Sequence, residues 1–332
     1  MARPLTLRDV ARAAGISTAQ ASMALNGTGR VAESTVERVR AAAQSLGYRP
    51  DQVARALRVG HGTDVGLVVR NLSNSYFLDV IRGMDEVCTE ADSSLLIIDS
   101  NYDRDREQAA VERMSRARVT ALALAPISGS TAVEWWGAHA PDVPLVLLNT
   151  APRSGSITVG PDGSASVEQA LGEFRRLGHR RVAFVGAPRK LQADTDRIDR
   201  FFELCAEWAI RGELIESRLT FATVSERVGA VLDDPGGPRA FLMNSDYTAS
   251  AVYRAARERG LRIGRDISVI GHDSIPTSAL FDPPMTTVHV DRQEVGRAAA
   301  RALLALAAGG DARSRALPTR LVRGDSVALN RG

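Results

Sequence analysis

The sequence predicts a small all-α head of helix-turn-helix type, joined to an α/β body made of two doubly wound parallel-sheet lobes. Three observations predict it. Residues 6–46 hold three runs with apolar residues at helical spacing. From Asp64 onward, short apolar runs of strand type alternate with helix-length segments, as parallel sheets with right-handed crossovers require. That alternation occurs twice, from Val65 and again from near Val159, so the body has two lobes.

In the head, Thr6 can cap a first helix, with Asp9 three residues later completing a capping box. Leu7, Val10, Ala11 and Ala14 give it one apolar face, Arg8 and Arg12 lie opposite, and Gly15 ends it. Ile16 can anchor the turn, while Ser17 and Gln20 form a second box opening helix two. Its buried side is Ala21, Ala24 and Leu25, and its other face is Thr18, Ala19, Ser22, Met23 and Asn26. Those small or flexible uncharged side chains suit a helix laid in the major groove of DNA. A generic helical hairpin at a domain edge is the alternative. A third helix spans about Glu33 to Leu46, capped by Ser34 with Glu37 following, with Val36, Val39, Ala43 and Leu46 on its apolar face and Gly47 after it.

Charge favours the nucleic-acid reading. The chain of 332 residues has a net charge of +3, but residues 1–60 carry nine arginines against four carboxylates, a net +5 that leaves about −2 for the rest. The N-terminus MARPLTLRDV has no apolar leader core, and no stretch approaches the ~18–20 apolar residues of a membrane span. Cys88 and Cys205 are distant and read as buried hydrophobes in a reducing compartment. His61, His139, His179, His272 and His289 show no metal-ligand spacing, so no metal or cofactor is expected. The chain is expected to be soluble and cytoplasmic.

After Tyr48-Arg49-Pro50 comes a short amphipathic run, Asp51 to Arg58, too short for a stable isolated helix because lengths below ~12 residues are marginal in water. With LRDVARAAGIS, ALNG and RVAESTVERVRAAAQSLGYRPDQVARALR on view, the chain resembles the lactose/galactose repressor (LacI/GalR) family of bacterial transcriptional regulators over essentially its whole length. The resemblance implies a hinge helix that folds on DNA beside its dimer mate, with Leu57 wedged into the minor groove. It implies a DNA-contacting set of Thr6, Ser17, Thr18, Ala19, Gln20, Ser22, Met23, Asn26, Arg30, Tyr48, Arg55 and Leu57. Met23 stands where an arginine that can read guanine is frequent, Gln20 where threonine is common, and Asp51 where asparagine is usual. Half-site reading is therefore expected to lean on apolar contacts and shape.

In the body, strands are expected at Val65–Val69, Leu95–Ile98, Ala121–Leu124 and Leu145–Leu148, with helices over Tyr76–Ala91 and Arg104–Arg116. The second series has helices over Ala165–Leu177, followed by Gly178, and Arg197–Ala209, with strands at Val182–Val185 and near Leu219, Ala240 and Ile267. The expected division is a head over 1–50, a hinge and linker over 51–61, an N-lobe over 62–158 plus 288–318, and a C-lobe over 159–287 plus 319–332. Ligands in such folds bind in the crevice at the carboxyl ends of the strands, here between the lobes.

The resemblance implies a sensor with the fold of periplasmic binding proteins and an effector set of Asn74, Tyr76, Phe77, Asn101, Asn149, Asp162, Arg197, Asp246 and Asp273. Ser75 replaces a usual proline, Asn149 an aspartate, Ser245 an asparagine and His272 a phenylalanine, and PPMTTV, Pro283 to Val288, marks the crossover back to the first lobe. Carboxylates, amides and an arginine beside aromatic faces also suit a polyhydroxylated ligand on their own chemistry, although each could instead cap a helix or close a turn. A sugar or related metabolite is the expected effector.

Enzyme readings find little support. Gly60-His61-Gly62 precedes a strand and its spacing to Gly66 is wrong for a dinucleotide fingerprint, and neither a phosphate-binding P-loop nor a GxSxG elbow is present. His179 falls at a helix-to-strand turn, a structural place. A periplasmic-type sugar-binding protein is the rival, weakened by the basic head, and an activator or a responder to a protein partner is a third reading. The expected function is a ligand-responsive repressor that binds a pseudo-palindromic operator as a homodimer, a tetramer remaining open.

Overall fold

The structure is a computed structural model that describes residues 5–26, 31–47, 64–127, 131–151, 155–188, 191 and 195–330. It divides into two compact units, residues 1–62 and 63–332.

The head packs α1 (Leu7–Ala14), α2 (Thr18–Asn26) and α3 (Glu33–Leu46) around Val10, Ala11, Ala14, Ala21, Ala24, Val39 and Ala43. Alanines dominate, so the helices can approach closely around a small core. Both capping boxes form. The Thr6 amide and hydroxyl donate to the Asp9 carboxylate at 2.9 and 2.6 Å, and Gln20 N donates to Ser17 Oγ at 3.2 Å while Ser17 N donates to Gln20 Oε1 at 3.3 Å. Gly15 and Gly47 end α1 and α3 at φ +67° and +64°, the left-handed region where a side chain would be strained. One expectation fails: Ala32, in extended conformation, is the N-cap of α3, so Ser34 lies inside the first turn and caps nothing. The predicted hinge helix lies outside the described residues.

The body holds two sheets. Among the described residues the first is all parallel, in the order β11-β5-β4-β3-β1-β2, with β1 Val65–Val69, β2 Leu95–Asp99, β3 Ala121–Leu124, β4 Leu145–Leu148, β5 Ile157–Pro161 and β11 Arg315–Leu317. The second runs β12-β10-β9-β8-β6-β7, with β6 Arg181–Gly186, β7 Arg211–Glu216, β8 Ala240–Met243, β9 Ser268–Asp273, β10 Thr286–Val290 and β12 Thr319–Val322. Only β12, paired with β10, is antiparallel among these strands. Both lobes thus share one doubly wound order in which their first strand lies between the second and the third. Val65 to Val69 is buried along its whole length, as a strand covered by helices on both faces must be.

The first sheet is covered by α4 (Tyr76–Glu90) and α11 (Arg292–Ala307) on one face and by α5 (Arg104–Arg116) and α6 (Thr131–His139) on the other. The second is covered by α7 (Gly163–Arg176) and α8 (Thr195–Glu207) on one face and by α9 (Phe221–Asp233) and α10 (Asp246–Glu258) on the other. Helices α4 and α11 cross closely because each offers a glycine: a Cβ on Gly83 would collide with the carbonyl of Gln293, and one on Gly296 with that of Val80.

Several expectations need correction. Strand β5 pairs with β4 and β11, so the N-lobe runs to Pro161 rather than to 158. Strand β10 belongs wholly to the second sheet, so the return crossing follows Val290 rather than 287. The strand placed near Leu219 is instead β7, Arg211–Glu216, an edge strand whose Arg211, Glu213 and Glu216 break any apolar run, while Leu219 is buried in the loop before α9. Helices α6, α9, α10 and α11 are additional to those the spacing predicts.

Candidate functional site

Two surfaces carry the predicted chemistry, one in each unit. In the head, α2 buries Ala21 and Ala24 and leaves Thr18, Ala19 and Gln20 exposed, with Ser22 and Met23 half-buried. Gln20 is committed to the capping box, because its Oε1 accepts from both the amide and the hydroxyl of Ser17. Thr6 holds Asp9 in the same way at the start of α1. Asn26 is the last residue of α2. Arg30, Tyr48, Arg55 and Leu57 lie outside the described residues.

In the body a cavity of about 420 Å³ opens between the lobes at the carboxyl ends of the strands. From the first lobe, Asn74, Tyr76, Phe77 and Asn149 line it, and from the second, Asp162, Arg197 and Asp273. Asn74 lies just before the N-cap of α4, its Oδ1 accepting from Tyr76 N at 3.1 Å. The Tyr76 hydroxyl donates to Asn149 Oδ1 at 2.8 Å, and its ring meets Phe77 edge-on at 5.2 Å. Asn149 reaches this place from a left-handed turn, φ +48°, at the end of β4. Asp162 caps α7 by accepting from Ala165 N at 2.9 Å and also lines the cavity. Arg197 on α8 is buried, lies over the Phe184 ring at 5.6 Å and donates to Asn244 O at 3.1 Å.

Asp273, the last residue of β9, holds φ +110°, a backbone conformation rarely adopted by a side-chain-bearing residue and found where surrounding contacts impose it. Those contacts are visible. Arg292, at the start of α11, donates to the carbonyls of Asp273 and Ser274, the latter at 2.8 Å, and its Nε meets Asp79 of α4 at 2.8 Å. One arginine thus ties a first-lobe helix to the second-lobe turn that carries Asp273. Burial pushes the Asp273 carboxyl up to about 7 against the opposing pull of Arg197 and Arg292, and His272 Nδ1 stands 2.9 Å from it.

Two predicted effector residues lie elsewhere. Asp246 is fully buried at the start of α10, where it accepts from Ser278 Oγ at 2.5 Å, Thr287 Oγ1 at 2.6 Å and Ile275 N at 3.0 Å. It is a structural cross-link, and burial together with the Asp273 charge raises its carboxyl to about 7. Asn101 is exposed in a left-handed turn whose amide donates to Asp99 Oδ1 at 2.8 Å, and that turn delivers the next residue, Tyr102, to the cavity wall instead. The cavity also gathers Arg70, Asp196, Asn244, His272 and Arg315, absent from the predicted effector set. Arg70 and Asn244 directly follow β1 and β8, a position that the strand-end rule points to.

Cys88 and Cys205 are buried thiols, each raised by burial to about 11. His179 is buried at its turn with Nε2 2.9 Å from Ala328 O. Among the described residues no group of His, Cys, Asp and Glu is arranged to hold a metal ion, and no helix is long and apolar enough to cross a membrane.

Residues 6–51 match the family of bacterial regulatory proteins called the lacI family, and residues 171–327 match the periplasmic binding protein-like domain. The chain is 29% identical over 305 residues to the HTH-type transcriptional repressor PurR of Vibrio atlanticus, covering 90% of this chain and 91% of that one. It is 27% identical over 303 residues to the ribose operon repressor of Escherichia coli, covering 90% and 92%. In fold it is similar to the lac repressor dimer bound to operator and the anti-inducer ONPF, with a TM-score of 0.85 at 24% identity over 98% of this chain and 99% of that one. A helix-turn-helix match at the head, a binding-protein match in the body and full-length likeness to two repressors agree with the geometry of both surfaces. The helix-turn-helix head belongs to the lacI family of bacterial regulatory proteins, and the whole chain is similar to transcriptional repressors over nine-tenths of its length.

Proposed function

We propose that the chain is a ligand-responsive, sequence-specific transcriptional repressor of the bacterial cytoplasm, binding a pseudo-palindromic operator as a homodimer with a sugar or related small metabolite in the interlobe cavity. The observation that carries this reading is the outer face of α2. Thr18, Ala19, Ser22 and Met23 leave the head core to Ala21 and Ala24, on a helix whose start is fixed by the Ser17–Gln20 capping box. The relatives support it: two are named repressors, one similar structure holds operator DNA as a dimer, and two others are regulators in complex with cellobiose and with ribose.

Thr18 and Ala19 then meet base edges, offering methyl contacts that suit thymine, with Ser22, Met23 and Asn26 following along the groove. Thr6, Ser17, Gln20, Arg30, Tyr48 and Arg55 position the head on the backbone, and Leu57 wedges at the operator centre. The effector is held by Asn74, Tyr76, Phe77 and Asn149 from one lobe and by Asp162, Arg197 and Asp273 from the other. Its grip on Asp273 reaches Asp79 through Arg292, which biases the tilt of the lobes. A 100-fold change in operator affinity requires a coupling of ~2.7 kcal/mol, within the usual allosteric range.

The test is selection of duplex DNA from a random pool by the purified protein. A two-fold symmetric motif whose recovery changes with an added sugar is the expected result. Failure to enrich any motif at low and moderate salt would remove the DNA-binding reading and leave a ligand-binding body.

A further inference from the structure

Each lobe sets one arginine against the crevice where its strand order reverses. In the second lobe this is Arg197, whose Nη1 donates to the carbonyl of Asn244, just after β8. In the first it is Arg70, directly after β1, whose Nη1 reaches the carbonyl of Pro126, just after β3, at 3.4 Å. Its Nη2 reaches Asn149 O at 3.3 Å, so both contacts are long and both acceptors neutral. Its Nε is buried with no acceptor, and no carboxylate among the described residues forms an ion pair with Arg70. A guanidinium carries five N–H donors and a permanent charge, and it lies half-buried here in the cavity wall with little to satisfy either. Arg292 shows the contrast: it meets the Asp79 carboxylate and two carbonyls.

Two acids feel the charge of Arg70 without forming an ion pair with it. Glu107 gives its Oε1 to Ile127 N at 2.7 Å and is raised by burial to about 7, and Asp273 across the cavity is raised in the same way. Neutral hydroxyls would satisfy donors without supplying charge, whereas two coplanar oxygens sharing a negative charge would do both.

We infer that the effector carries an anionic group, a carboxylate or a phosphate, and that Arg70 is the residue that receives it. The inference rests on the interlobe cavity being the effector site of the proposed repressor. It narrows the ligand from sugars in general to sugar acids or sugar phosphates.

Calorimetric titration of the full-length protein at constant ionic strength tests it with matched probes: glucose and gluconate, galactose and galacturonate, ribose and ribose 5-phosphate. The expected result is that an anionic member binds at least ~10-fold more tightly than its neutral parent. Arg70→Gln should bring the two level and Arg70→Lys should keep part of the difference, with unchanged thermal melting showing that both variants fold. Whether the acids or the phosphate ester show the gain identifies the group. Binding of neutral sugars alone would overturn the anionic effector and leave the carbohydrate reading standing, while binding of no probe would overturn both. An Arg70→Gln protein that melts normally but loses neutral and anionic sugars alike would make Arg70 a latch between the lobes and overturn its role as the anion receptor.

Discussion

The head and the body keep their chemistry in opposite places. The head buries alanines and valines and presents Thr18, Ala19 and Gln20 outward, where water already solvates them. The body sinks its ionisable groups: Asp246, Asp273, Glu107 and Arg197 are all buried. A rigid polyanion such as duplex DNA can be met from outside, each contact being desolvated only on docking. A small ligand offers few atoms, so its receptor must hold polar groups oriented and dry beforehand, and the folded state bears that cost. Polar substitutions in the body should therefore be read in stability, and those on the head in sequence preference.

The sharpest test of this contrast is Asp246→Ala, which strands three donors in the body. Chemical denaturation should show a loss of about 2–4 kcal/mol, while Asp246→Asn, which keeps an acceptor, should lose much less. Next comes Arg197→Lys, which removes a planar fork from the cavity. Effector affinity in titration should fall roughly 10- to 100-fold, the value of one or two charge-assisted hydrogen bonds.

Acidity offers a third test. Asp246 and Asp273 have carboxyls raised to about 7 when folded, so between the unfolded value near ~4 and about 7 the native state binds more protons. Stability from these groups is full below ~4, declines as pH rises through about 7, and is then level. Denaturation midpoints measured from pH 5 to 8 should fall, and less so in Asp246→Asn. A flat profile would mean that both groups ionise freely.

On the head the effects should be smaller and different in kind. Thr6→Ala removes one side of a capping box and should cost about 0.5–2 kcal/mol in a thermal melt. Met23→Arg should leave stability nearly unchanged yet add a guanine to the selected motif, worth about 1–3 kcal/mol of discrimination. An unchanged motif would break the assignment of Met23 to base reading.

The same contrast explains what was legible. In the head the determining interactions are local, so Thr6 with Asp9 and Ser17 with Gln20 could be read from spacing alone. Ser34 misled because an extended Ala32 caps α3 without a side chain, a choice made by the backbone. In the body, buried parallel strands such as Val65–Val69 show as apolar runs, whereas β7, a half-solvated edge, does not. Asn74, Asn149 and Asp273 could be placed at strand ends, and the cavity gathers them. Asp246 could not be separated from them, because its partners Ser278 and Thr287 lie 32 and 41 residues away and only the folded chain brings them to it. Arg70 does not stand out in the sequence, because an arginine after an apolar strand reads as the first solvated residue of a loop.

The edge strands β11 and β12 carry one further consequence. They occupy a single stretch, Arg315 to Val322, yet β11 closes the first sheet and β12 the second. On the ribosome both lobes therefore wait for the same few codons, and neither sheet can be completed ahead of the other. A nonsense mutation just before codon 315 would leave two unfinished sheets with open edges, a nascent product suited to aggregation or degradation rather than to half a function.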